Sequence, residues 1–515
     1  MDLKICLRLV LAIMLGCSHA LLAMPAAAQA IIGNDGARHL LNRGGFAASD
    51  VQIKTFAPLT RADAADRLLR APTAVATTAP PTWVDEAPLP PAKRQQLSQE
   101  QRMAELRRNL EHGFELRAWW FREMLSTTSP LTEKMTLFWH NHFATSLQKV
   151  RFAPLIYQQN VLLRRQALGN FGTLLHEMAR DPAMLIYLDG ATSRKDQPNE
   201  NFAREVMELF TLGEGNYSER DIKDAARAFT GWSVDRDTGK FMFRRGIHDY
   251  GNKTLFGRSG NFDGDQILDM LLAKPQTAQF ITRKLWREFI SPTPDEAEVN
   301  RMAAVFQASG YNIAKLMQTM LTSDAFYALS NRAALIKSPV EFVIGTLMTF
   351  EIEPPNLSPF VLATALLGQN LFMPPNVKGW PGGEAWINSA TLLDRKQLLE
   401  RLFAGEDRVE MAMRAAEPMS ATMSQMADGG TQSGAAGREA RTRRQMERQL
   451  GGLRANLDAW AAGFTQTPAN TGLQDMTRVV LAIAPVATSS PAGAISDRPA
   501  DWARRLMADP AYQLK

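Results

Sequence analysis

Residues 198–232, "PNENFAREVMELFTLGEGNYSERDIKDAARAFTGW", read as cap, helix, stop, cap, helix. Asn199 is a good N-cap, because its short side chain accepts a main-chain N–H from the first turn. The helix then runs from Glu200 to Leu212, and Gly213 stops it, since glycine enters the left-handed conformation without steric cost. Ser218 and Asp221 give a second capping signal. Ile222, Ala225, Ala226 and Phe229 recur at helical spacing, so the next helix carries one apolar face, and Gly231 ends it. Two capped helices joined by a short turn set the fold class as mainly α.

The same reading extends in both directions. Ala37 to Leu69 makes two short helices around a Gly-Gly turn, and Ala71 to Lys93 is a Pro- and Ala-rich connector. Ser98 with Gln101 forms a capping box for a helix through Met124. Further helices are expected from Lys134 to about Thr145, Leu155 to Ala179, Gln266 to Leu272, Thr277 to Phe289, Asp295 to Ala308 and Ile313 to Thr322. Lys240 to Arg245 alternates and gives one short β element. The expected organisation is a 1–30 signal, a 31–97 arm and connector, a 98–404 main helical domain, a flexible 405–449 Met/Ala/Gly-rich insertion, and a 450–515 helical segment packing on the main domain. The basic run within that insertion, 438–448, reads as a solvated helix face.

Composition bounds the function. The chain has 515 residues, 45% hydrophobic and 22% charged, with a formal net charge of +5, so nucleic acid is not an expected partner. Lys4 and Arg8 precede an apolar run from Leu9, and Ala28-Gln29-Ala30 offers an A-x-A cleavage site. That is a secretory signal, placing the mature start near Ile31 and the protein in the periplasm or outside the cell. Lipidation at Cys17 is a weaker alternative. No transmembrane segment is expected after cleavage. Both cysteines, Cys6 and Cys17, lie in the signal, which leaves the mature chain without disulfide, thiol nucleophile or thiolate ligand. Any metal would be held by imidazole or oxygen donors.

Four segments could carry chemistry. "EKMTLFWHNHFATS" (133–146) holds His140 and His142, which on one regular helix point about 200° apart and converge only if the helix unwinds near Asn141. His142 shares an apolar face with Met135, Phe138 and Phe143. In "NENFAREVMEL", Asn201, Glu205 and Glu208 fall on one helix stripe whose carboxylates repel and call for a cation, either a metal or a guanidinium such as Arg204. In "GIHDYGNKTLFG", His248 beside Asp249, with Lys253 downstream, suits metal ligation or general-base work, or an ordinary turn. Asp265 reads as the cap of the helix from Gln266, His176 as an exposed structural residue, and Lys337–Glu341 as an i,i+4 ion pair. Trp380 and Asn388 mark an irregular loop of the kind that covers pockets. Phosphate-loop, dinucleotide, nucleophile-elbow, H-E-x-x-H and E-x-x-H patterns are missing, which argues against nucleotide enzymes and serine hydrolases.

Taken together, "FWHNHF", "NENFAREVMELFTLGEGNYSERDI", "ARAFTGW", "HDYGNKTLFG", "KSPVEF" and "PPNVKGWP" resemble the bacterial domain-of-unknown-function family numbered 1800. The resemblance runs from about Ala37 to the final "MADPAYQLK". It implies an exported, largely helical protein of unestablished activity, with a phosphatase- or sulfatase-like exported protein as a partner. The motif positions carried over are His140, Asn141, His142, Asn199, Asn201, Arg204, Glu205, Glu208, Gly213, Trp232, His248, Asp249 and Lys253. Members often read "ELHTLG" where this chain has Phe210 in place of the histidine. The favoured expectation is a metal-dependent hydrolase or oxidase. His140, His142, Glu205, Glu208 and His248 would be ligands to Zn²⁺, Mn²⁺ or Fe²⁺, with His248, Asp249 and Lys253 in catalysis. The alternative is a non-catalytic envelope binding or maturation factor.

Overall fold

The computed structural model describes residues 26–70, 74–403, 443–444, 446, 455–464, 469–487 and 498–515. Most of the expected signal and of the 405–449 insertion lies outside the described residues. The architecture is mainly α. In chain order the principal helices begin with α1 (Gly33–Gly44), α2 (Arg61–Leu69), α3 (Gln99–Ser126) and α4 (Pro130–His142). They continue with α5 (Ala153–Arg165), α6 (Phe171–Ala179), α7 (Pro182–Tyr187), α8 (Glu200–Glu208) and α9 (Glu219–Ala228). Two antiparallel hairpins follow, β1 (Trp232–Val234) with β2 (Phe241–Phe243), and β3 (Lys253–Leu255) with β4 (Arg258–Gly260). Then come α10 (Gly264–Ala273), α11 (Pro275–Phe289), α12 (Glu296–Ala308), α13 (Ile313–Leu321), α14 (Pro339–Thr349), α15 (Ser358–Leu366) and α16 (Ser389–Leu402). The last are α17 (Ala469–Val480) and α18 (Pro499–Ala508). Among the described residues, no helix is long and apolar enough to cross a membrane.

Local chemistry explains most boundaries. Ser98 and Ser218 form reciprocal capping boxes with Gln101 and Asp221, and Asn199 caps α8 by accepting from Phe202 N–H. α8 ends at Glu208 with Leu209 as its C-cap, short of the expected Leu212; Gly213 lies beyond it at φ +76 with Phe280 2.9 Å from where a Cβ would stand, so the turn that follows needs glycine for conformation and for space. Four further expectations change. The helix drawn from Leu155 to Ala179 is two helices, because Asn170 caps α6 by accepting from Thr173 N–H. The cap of α10 is Asp263, boxed with Gln266, which frees Asp265 for tertiary contacts. The β signal near Lys240 pairs with Trp232–Val234, and a second hairpin follows it. Lys337 and Glu341 are not paired. Pro339 opens α14 and Ser338 is its cap, so Lys337 lies outside the helix and the i,i+4 geometry does not exist. Lys337 Nζ donates instead to Tyr512 O at 2.7 Å.

The core is organised around α4, whose residues from Leu131 to His140 are all buried, with α1, α2, α3 and α5 packed against it. Large side chains fill the space: Trp120, Trp139, Trp286 and Trp502 are fully buried. Such a helix has no polar face to give to solvent. Its charged groups therefore need internal partners. Glu133 holds Arg164 at 2.5 and 3.0 Å, and Lys134 meets Glu341 and Glu288. Lys515 joins the same two glutamates, while Lys515 N–H donates to Leu335 O and anchors the 510–515 segment beside α14.

Candidate functional site

α4 stays regular through His142, so its two histidines diverge, as the helical repeat demands. His140 is buried among Trp120, Phe372 and Trp380, and its Nε2 accepts from Phe372 N–H at 3.1 Å. Burial without any counter-charge pushes its pKa down to about 3. His142 lies parallel to Phe138 on the apolar face. Its Nε2 donates to Phe210 O at 3.2 Å and its Nδ1 accepts from Lys284 Nζ at 2.9 Å. Burial, then the Lys284 charge, hold it well below the usual histidine range, and burial pushes Lys284 down to about 8. Both rings are neutral hydrogen-bonding parts of the core at neutral pH.

Asn141, between them, binds main chain. Its side chain accepts from Trp380 N–H at 2.7 Å and donates to Trp380 O at 3.2 Å. Gly379 approaches so closely that a Cβ would lie 2.2 Å from Asn141 Oδ1, and its φ is +78. The "HNH" and "NVKGWP" motifs are thus two halves of one joint. From the same loop Lys378 Nζ reaches Glu214 at 3.4 Å and Glu208 at 3.9 Å.

On α8, Arg204 turns away from the acids of its own helix and forms a two-pronged pair with Glu219 at 2.7 and 2.8 Å. Glu208 accepts from Tyr217 OH at 2.6 Å. Glu205 is half-buried, its carboxylate without a hydrogen-bond partner among the described residues, and burial, then the charge of Glu208, raise its pKa. Asn199 and Asn201 both donate to Leu188 O, at 3.1 and 3.5 Å. Phe210 is buried, its apolar ring packed against Phe143 and His142.

The third motif forms a separate knot. His248 Nδ1 donates to Thr230 O at 2.7 Å, and Asp249 N–H donates to the Thr230 hydroxyl. Asp249 receives Arg227 Nε at 2.7 Å, which holds its carboxyl below the usual range. Lys253 Nζ is buried and donates to Asp249 O at 2.6 Å, with burial lowering its pKa. Trp232 opens β1 and packs on Phe229, Phe241 and the Arg180 guanidinium. Among the described residues, no hydrogen bond or ion pair links His248, Asp249 or Lys253 to His140, His142, Glu205 or Glu208. Nor do three or more His, Asp or Glu side chains gather there as a metal ion requires.

His176, expected as exposed, lies instead between two aspartates of α10, with Nδ1 3.1 Å from Asp265 and Nε2 3.0 Å from Asp269, and these bonds raise its pKa. Arg180 pairs with Asp265 beside it. His176 and Arg180 line a cavity of about 730 Å³, as does Asp181, which is itself buried and whose carboxyl that burial pushes up to about 7. Asp181 is held by Met184 N–H and Gln159 Nε2, so its place is set by capping α7. The i,i+4 spacings His176/Arg180 and Asp265/Asp269 were available in the sequence. Their facing each other was not.

The family model described as "Protein of unknown function (DUF1800)" matches residues 39–514. The chain belongs to the DUF1800 family. No curated protein and no solved structure matches it. In this DUF1800 chain the joint at Asn141–Trp380 and the knot at Thr230–Asp249 are built from motif residues; the first ties segments 239 residues apart, the second segments 18 to 19 apart.

Proposed function

We propose that this DUF1800 protein is a non-catalytic, exported binding or maturation factor, with a phosphatase- or sulfatase-like exported protein as its client. One observation carries the reading: the polar groups of its motifs bond mostly to main chain from other segments. Asn141 holds Trp380, His142 holds Phe210, His140 holds Phe372 and His248 holds Thr230. Groups used this way fix loop shape, and a fixed surface is what a partner recognises. Residues kept for chemistry usually leave stability unchanged or raise it when replaced, whereas joints of this kind cost stability. Asn141→Ala, His142→Ala and His248→Ala are therefore each expected to lose about 1–3 kcal/mol in urea unfolding. Three variants as stable as the parent would overturn the joint reading. Absence of binding between the two purified proteins would remove the client.

A second reading, a metal-dependent hydrolase or oxidase, is favoured by one pair. Glu205 and Glu208 stand three apart on α8, with the Glu205 anion destabilised first by burial and then by its neighbour. A divalent cation would relieve both carboxylates. Such oxygen donors suit Mn²⁺ better than Zn²⁺ or Fe²⁺, since His140 and His142 are engaged elsewhere. Added Mn²⁺ would then raise the Tm of the parent and not of Glu205→Gln. No Tm shift with Mn²⁺, Zn²⁺ or Fe²⁺ would sink this reading.

A further inference from the structure

A second cleft, of about 390 Å³, opens where α1 meets α17 and the 481–485 segment after it. Three guanidinium groups line it, from Arg38, Arg332 and Arg478. Arg478 is paired with Asp475 at 2.6 Å and with Asp35 at 3.4 Å, and Arg332 stands 3.8 Å from Asp35. Arg38 differs. It is 5% exposed, yet among the described residues it has no ion pair and no hydrogen bond, and its Nε is buried without an acceptor. Arg332 Nε is in the same condition. Burial pushes the Arg38 guanidinium down to about 9, against the opposing pull of Asp35 three residues earlier on α1. A buried cation without a partner is unfavourable, and such a group persists where an anion arrives to meet it.

The rest of the cleft narrows the chemistry. Three guanidinium groups line it with one carboxylate, Asp35, while Asp475 pairs with Arg478 from outside the lining, so the floor carries an excess of positive charge. The remaining wall is mostly apolar, with Leu329, Leu481, Ile483, Pro485 and Trp502 alongside the polar Gln474 and Thr477. Leu329 and Ile483 are 78% and 38% exposed, a greasy rim beside a charged floor. We infer that this cleft binds an organic monocarboxylate with an apolar tail, its carboxylate meeting Arg38 and Arg332 and its tail lying on Leu329, Ile483 and Trp502. The planar fork of a guanidinium matches a carboxylate, and the apolar rim beside it suits an aliphatic tail. The inference is independent of the client proposed above.

Thermal unfolding and calorimetric titration of the full chain with octanoate, 1-octanol and inorganic phosphate test it. Octanoate is expected to raise Tm, and the other two to leave it unchanged. Arg38→Met should abolish the octanoate shift while the ligand-free variant is as stable as the parent or more so, because it removes an unpaired buried charge. Arg332→Gln, at a more exposed position, should weaken octanoate at least tenfold and serves if Arg38→Met does not fold. No octanoate shift in the parent, an equal shift with octanol or phosphate, or octanoate affinity unchanged in either variant would overturn the proposal.

Discussion

Glu133→Gln is expected to destabilise the protein by about 3–5 kcal/mol, enough to unfold a large fraction of a marginally stable chain at physiological temperature. Glu133 and Arg164 are both essentially inaccessible, and they meet through two bonds at 2.5 and 3.0 Å. Trp120 Nε1 donates a third bond to the carboxylate at 2.8 Å, and the guanidinium lies 5.2 Å from the Trp119 ring. Glutamine keeps the size and loses the charge, leaving a buried guanidinium with no counter-ion and an amide whose NH₂ faces donors. The double change Glu133→Leu with Arg164→Met removes both charges and should recover most of the loss, since a buried pair contributes little beyond its apolar equivalent. Urea midpoints of the single and double variants decide it. A single variant within 1 kcal/mol of the parent would show that solvent reaches the pair.

Acidification supplies the second large effect. His39, His140 and His142 are all buried, and desolvation is the leading cause holding each below the ordinary histidine range. The unfolded chain takes up protons near pH 6.5 at positions where the folded chain stays neutral. The stability from each ring is therefore present above pH 6.5 and is lost as pH falls toward the folded value. His140, at about 3 in the folded state, costs close to a tenfold fall in the folded-to-unfolded ratio per pH unit between pH 6 and 4. His176 and Asp181, whose values are raised, act in the opposite sense, so the net slope is less than three protons. His140→Gln isolates one contribution. Its denaturant midpoint should depend on pH less steeply than the parent's, by one proton, over that window. Parallel pH profiles would mean that His140 is protonated in the folded protein.

What failed to follow from spacing is instructive at Glu341. The pattern with Lys337 was formally correct for a helix pair, but proline at the first helical position moved the start beyond Lys337. Glu341 then served twice, as the third residue of a capping box with Ser338 and as the acceptor for Lys134 and Lys515. His176 shows the same limit from the other side. Its helix was legible, its exposure was misjudged, and its two aspartates came from a helix about ninety residues later.

The sequence by itself determined most of the helices and caps such as Ser98, Asn199 and Ser218, because those bonds close between residues three or four apart and need no knowledge of the rest of the chain. That His140 and His142 diverge depended on the helix staying regular through Asn141, which the sequence left open and the structure shows. Only the tertiary structure decided what each ring met: Phe372 for one, 232 residues away, and Phe210 with Lys284 for the other. Partners at such separations are chosen by how whole helices pack to bury their apolar faces. The polar groups carried inward must then satisfy one another wherever that packing leaves them.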